Sequence, residues 1–204
     1  MKPALEQLLR EQSQIWRGLQ TDSAGGGIAS GFAELDALLP GGGWPSAALI
    51  SLELPNVGIG ELPLLLPAMA ALSKQGRRIV WLAPPYQPYA PGLQQAGLAL
   101  GQLLVVACPE AADLPWALEV LLRSGGCGMA LAWPKRPLAA HQTRRLQLAA
   151  EAGNALAVLF AVGHAAQAGH AALQMALQRE NGDLRLRIRK ARGSLRQLNL
   201  SLAL

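Results

Sequence analysis

The chain has 204 residues, 51% of them hydrophobic and 15% charged. That is enough apolar material for one domain with short extensions, and it excludes wholesale disorder. The net charge is +5 and there are only two cysteines, Cys108 and Cys127, at no metal or disulfide spacing, which suits a reducing cytoplasm.

His141, His164 and His170 lack Cys or acidic partners at ligand spacing, so no metal site is expected. The start M-K-P-A-L-E-Q has no apolar core after Lys2 and does not read as a signal peptide. Uncharged stretches such as 79–109 are broken by Pro, Gly and Gln, so no membrane span is expected and the chain is assigned to the cytoplasm.

Taken in order, residues 3–18 place Leu5, Leu8, Leu9, Ile15, Trp16 and Leu19 at helical spacing. They predict an N-terminal helix, packed either on its own domain or, through Leu8, Ile15 and Trp16, on a partner or neighbouring subunit. A Ser/Gly-rich linker covers 21–27. Phe32, Leu35, Leu38 and Leu39 then suit a short helix, which Pro40 and three glycines stop. Residues 47–52 predict a first, buried strand.

The next segment, L-P-N-V-G-I-G-E-L, has the layout of a phosphate-binding loop. Such a loop reads G-x-x-x-x-G-K-[ST] between a strand and a helix. With Gly60 as its second glycine, Pro55 stands for the first, Glu61 for the lysine and Leu62 for the Ser/Thr. Glu61 would repel the phosphates that a lysine neutralises, and Leu62 offers Mg²⁺ no oxygen. The helix N-terminus still favours an anion, but by about 2 kcal/mol at most. Pro55, Gly58, Gly60, Glu61 and Leu62 therefore read as a degenerate phosphate loop, with no cofactor, no metal and no catalysis.

Helix is predicted over 62–74, with Pro63 tolerated in the first turn, then a strand over 78–83 and a Pro/Tyr-rich connection over 84–91. A helix over 92–99, a strand over 103–107 and a turn leading into an apolar-faced helix over 109–123 follow. A strand over 129–133, a helix over 137–153 with Arg144 and Arg145 outward, and a strand over 155–162 complete this part. Continuous apolar strands alternating with helices predict an α/β fold with a mostly parallel sheet covered on both faces.

The pattern then changes. After a strand over 172–178, residues 183–190 alternate with period two, Leu184, Leu186 and Ile188 against Arg185, Arg187 and Arg189. Leu198, Leu200, Leu202 and Leu204 alternate likewise, so antiparallel strands are expected to extend the sheet. Between Arg179 and Arg196 lie seven basic residues and two acidic ones, so this segment alone carries the net +5. Arg185, Arg187 and Arg189 would share one face about 7 Å apart, with Lys190, Arg192 and Arg196 beyond them. Three readings are open: a solvated strand face, a dock for an acidic protein patch, or a contact to DNA phosphates. With no aromatic residue to stack bases, DNA binding would be sequence-blind and steeply salt-dependent. Elsewhere no nucleophile and base stand in a catalytic order.

The stretch I-A-S-G-F-A-E-L-D-A-L-L-P-G-G-G-W-P-S-A-A-L-I-S-L resembles the approach to the first core strand in the RecA superfamily. G-I-G-E-L at 58–62 and R-L-R-I-R-K-A-R-G at 185–193 resemble the short RecA-like ImuA proteins most closely, and SulA-type cell-division inhibitors share the same degraded core. The resemblance spans roughly 28–192. It implies a RecA-like core over 28–204, preceded by the helix and linker of 1–27. RecA-like ATPases carry a catalytic Glu after the second core strand and an Asp at the end of the fourth. Here those places read Ala83-Pro84-Pro85 and Leu131-Ala132-Trp133-Pro134, which implies a pseudo-ATPase.

The ImuA resemblance further implies a non-catalytic accessory factor of SOS-induced mutagenic translesion DNA synthesis, a DNA repair role in the DNA damage response. Its implied partners are an ImuB-like polymerase relative and an error-prone replicative-type polymerase, with RecA, DNA and a second copy of the chain as further contacts and no membrane. A SulA-like division inhibitor that binds FtsZ is the first alternative. It predicts binding through the core surface and filamentation on expression. A working RecA-like ATPase is the second, and Glu61, Pro84 and Trp133 stand against it.

Overall fold

The computed structural model describes residues 26–163, 169–193 and 198–203. In chain order the elements are α1 (Ala33–Leu38), β1 (Ala48–Leu54), α2 (Glu61–Lys74), β2 (Arg78–Leu82) and α3 (Ala90–Gln95). A 3₁₀ turn (Leu100–Gln102), β3 (Leu103–Val106), α4 (Leu114–Arg123), β4 (Cys127–Ala132), α5 (Ala140–Gly153) and β5 (Leu156–Val162) follow. The chain closes with β6 (Leu173–Glu180), β7 (Asp183–Ala191) and β8 (Leu198–Ala203). The expected helix over 3–18, with Leu8, Ile15 and Trp16, lies outside the described residues, as does Arg196.

All eight strands form one sheet in the order β3-β2-β4-β5-β1-β6-β7-β8. Pairings from β3 to β6 are parallel, while β6–β7 and β7–β8 are antiparallel. The α/β class, with a mostly parallel sheet and antiparallel C-terminal strands, is the one the apolar runs predict. β6 adds a feature that its own sequence does not announce: it is parallel to β1 and antiparallel to β7, so it joins the two halves.

Strands β2, β4, β5 and β1 are largely buried on both sides because helices cover both, whereas the edge strand β3 leaves Leu104 and Val105 exposed. On one face Ile50, Leu52, Trp81, Leu131, Val158 and Phe160 pack with Leu64, Leu65 and Met69 of α2 and Leu35 of α1. On the other, Leu49, Val80, Leu82, Ala130 and Leu159 pack with Leu118 and Leu122 of α4 and Leu146, Ala149 and Ala150 of α5. The α4–α5 contact requires glycine, since a Cβ at Gly153 would lie 1.7 Å from the Leu122 carbonyl oxygen. Helix α5 also closes the sheet. Pairing of β1 with β6 begins at Ile50, and the buried Leu49 amide donates instead to Gln147 Oε1 at 2.9 Å.

Several element bounds differ from the sequence expectation, among them β1, α5 and β6 by two or three residues. The third helix runs over Ala90–Gln95 rather than 92–99: Pro91 is accommodated in its first turn, and Gly97 turns the chain into the 3₁₀ segment. The fourth strand runs over Cys127–Ala132 rather than 129–133, so Trp133 lies just past its end.

Candidate functional site

The loop between β1 and α2 turns through Gly58 at φ 83° and Gly60 at φ 116°, a left-handed conformation that glycine adopts without a Cβ penalty. These turns bring two backbone amides to one point ahead of α2. Such converging N–H groups at a helix N-terminus form an anion-binding concavity. The anion here belongs to the chain itself. Gly58 N–H donates to Glu61 Oε1 at 2.8 Å and Gly60 N–H to Glu61 Oε2 at 3.1 Å. Glu61 is 4% exposed, so its carboxylate is folded into the loop rather than held out to solvent. Pro55 opens the loop on the exposed side, and Leu62 packs partly against the core. Arg179 Nη1 donates to the Ile59 carbonyl at 3.4 Å, tying the end of β6 to the same loop.

Beyond the carboxyl ends of β1 to β5, where ligands of open α/β sheets bind, lies a crevice of about 740 Å³. Val57, Pro84, Tyr86, Val105, Trp133 and Val162 line it, and no carboxylate is among its lining residues. Trp133 is buried, stacked on Phe160 at a centroid distance of 4.6 Å and tilted against Trp81 at 5.6 Å. The strand ends are therefore filled by aromatic rings. The indole N–H groups of Trp81 and Trp133 have no hydrogen-bond acceptor among the described residues. The residue after β2, Ala83, sits at φ 49° and donates its amide to Val106 at 2.8 Å.

The basic C-terminal strands form the third region. Leu184, Leu186 and Ile188 are buried, while Arg185, Arg187 and Arg189 are exposed, as their alternation predicts. They do not form an uninterrupted cationic row. Arg185 pairs with Glu180 at 2.7 Å, Arg189 with Glu53 at 2.7 Å and Arg192 with Glu151 at 3.1 Å. Lys190 donates to the Gly169 carbonyl at 2.7 Å. Arg187 has no ion pair among the described residues. Glu53, 12% exposed, is the ion-pair partner that sequence reasoning missed. Its one signal was a carboxylate inside an otherwise apolar strand.

Burial pushes the Cys127 thiol from 9.0 up to about 11, against a smaller lowering by Arg77. Burial, then the charge of Asp113, raises the Cys108 thiol as well. Neither is an activated thiolate. Among the described residues no cluster of His, Cys, Asp and Glu could hold a metal ion, and no helix is long and apolar enough to cross a membrane.

A family model described as "Cell division inhibitor SulA" matches residues 55–157, from the glycine loop through α5 into β5. This is just over half of the 204 residues. The chain belongs to the SulA family. Among its relatives, the SulA of Edwardsiella piscicida is 31% identical over 96 residues, which are 47% of this chain and 56% of that protein. The SulA of Serratia proteamaculans (strain 568) is 34% identical over 92 residues, 45% of this chain and 54% of that protein. The chain thus spans about half the length of the curated SulA relatives it matches. The crystal structure of SulA from Pseudomonas aeruginosa aligns with 57% of this chain and 99% of its own at 28% identity and a TM-score of 0.48.

Membership of the SulA family corrects the ImuA assignment, and with it the translesion-synthesis role and the ImuB-like, polymerase and RecA partners. The reason lies in where the signals sit. The basic ending at 185–193, one of the two signals that favoured ImuA, falls outside residues 55–157, as does the RecA-like approach at 28–52, while the core within that span matches SulA. The loop G-I-G-E-L, the other signal read as ImuA, lies inside the span that matches SulA. A family described as an inhibitor, not an enzyme, agrees with the expected lack of catalysis.

Proposed function

We propose that this chain is a non-catalytic inhibitor of cell division that acts in the cytoplasm by binding the division protein FtsZ. The observation that carries it is the SulA match over 55–157, which takes in the loop, most of the crevice lining, strands β2, β3 and β4 and the first two residues of β5. The proposal includes a RecA-like core over 28–204, with 1–27 as a separate N-terminal segment that offers Leu8, Ile15 and Trp16 to a partner.

The phosphate loop of that core is degenerate in this proposal. Glu61 supports it, because a carboxylate already occupies the amides that a phosphate would need. A second anion there would face like-charge repulsion in a partly desolvated setting. Trp133 and Pro84 support it further, as they leave no carboxylate at the strand ends to hold Mg²⁺ or orient water.

Expression of the chain in a rod-shaped bacterium should give filaments without septa. Purified full-length protein should lower the amount of FtsZ that sediments with GTP. Normal division at high soluble expression, with unchanged FtsZ sedimentation, would refute the inhibitor role. Isothermal titration with ATP and Mg²⁺ separately tests the loop, and micromolar binding would show that Glu61 does not block it.

A further inference from the structure

We infer that the outer face of the β6–β7–β8 ribbon is a docking surface for an acidic segment of a protein partner, centred on Arg187. The inference stands on residues beyond 157 and does not rest on the division-inhibitor proposal.

Helices α4 and α5 cover this face of the sheet as far as β1. No described element covers it from β6 to β8. A groove of about 520 Å³ runs there. Register places its residues in rows across the strands. Arg185 lies between Gln178 and Ser201, and Arg187 between Ala176 and Asn199. Ala176 is small, so Arg187 stands over a shallow floor with the Asn199 amide on its other side and the Gln178 amide diagonally across from it.

The ion pairs decide what the groove can take. Arg185 is drawn toward Glu180 at the hairpin end, and Arg189 toward Glu53 on β1. Arg185 and Arg189 are therefore partly neutralised, while Arg187 has no ion pair among the described residues and faces Glu53 across Ala176 in its own row. A nucleic-acid backbone, with regularly spaced phosphates, would meet carboxylates at both ends and find no aromatic ring for its bases. A single carboxylate seated between Arg187 and Asn199, on the side away from Glu53, avoids both. The planar guanidinium can bind it bidentately, and Asn199 and Gln178 add neutral donors that fix its position.

The test uses the full chain and a fluorescein-labelled decaglutamate peptide, titrated at about 50 and about 200 mM salt. Saturable binding is expected, weakened about tenfold or more by Arg187→Glu and less by Arg187→Gln. Arg144→Glu makes the same charge change on the exposed side of α5 and is expected to leave the affinity unchanged. Arg187 is exposed, so all three variants should melt with the parent protein. Absence of peptide binding would overturn the inference, and so would equal losses at Arg144 and Arg187, the mark of non-specific charge attraction. Tighter, Arg187-dependent binding of an oligothymidylate would overturn it in favour of nucleic acid.

Discussion

From β2 to β1 the sheet is covered on both faces, whereas from β6 to β8 it is covered on one, and the opposite edge strand β3 leaves Leu104 and Val105 exposed. The two halves share a sheet and a hydrophobic layer, since Leu184, Leu186 and Ile188 belong to the same core as Ile50 and Phe160. They differ in what the second face does. Every residue of β4 is buried, while β7 alternates between buried leucine or isoleucine and exposed arginine. Doubly buried strands place their side chains in packing and leave little for recognition. A singly buried ribbon keeps one face available, and its exposed ion pairs contribute only about 0–1 kcal/mol each. Stability is thus concentrated in the first half, while the second keeps its charged side chains on an open face.

The largest effect that can break this contrast is in the covered half. Phe160→Ala removes a fully buried ring stacked on Trp133 and should cost about 3–5 kcal/mol in urea denaturation. A loss under about 1 kcal/mol would show that the aromatic layer at the strand ends is dispensable. Next comes the loop. Glu61→Ala leaves the amides of Gly58 and Gly60 without their acceptor and should cost about 2 kcal/mol, with faster hydrogen exchange at both glycines. Unchanged exchange would mean that the carboxylate does not hold the loop in solution.

A third measurement reads burial through pH. The folded Cys127 thiol titrates near 11 against an ordinary 9.0. Between these values the unfolded chain has lost the proton and the native chain has kept it, so native stability falls as pH rises. This contribution is fully present below about pH 9 and gone above about pH 11. Cys127→Ala should flatten that part of the stability profile; an unchanged slope would show that the cysteine reaches solvent. The smallest effect belongs to the ribbon, where Arg187→Ala should change stability by no more than about 0.5 kcal/mol. A cost above about 1 kcal/mol would make the bare face structural and remove the difference between the halves.

Much of this architecture is legible in local spacing. Unbroken apolar runs such as C-G-M-A-L-A announce doubly buried strands, and D-L-R-L-R-I-R-K announces a singly buried one. The same spacing shows that Glu61 replaces a lysine. What it cannot show is where that carboxylate goes, because local sequence allows it to point outward or inward. Only the left-handed turns at Gly58 and Gly60 bring the amides round to receive it. The pairing of Arg189 with Glu53 likewise exists only because β6 docks beside β1, across a crossover that no local pattern specifies. The seven basic residues of the tail read as one cationic stripe in sequence. Tertiary structure divides that stripe, since its neutralising carboxylates include Glu53 from β1 and Glu151 from α5. Side-chain period is a property of the strand itself, but the charge a face finally presents depends on which distant elements the fold brings against it.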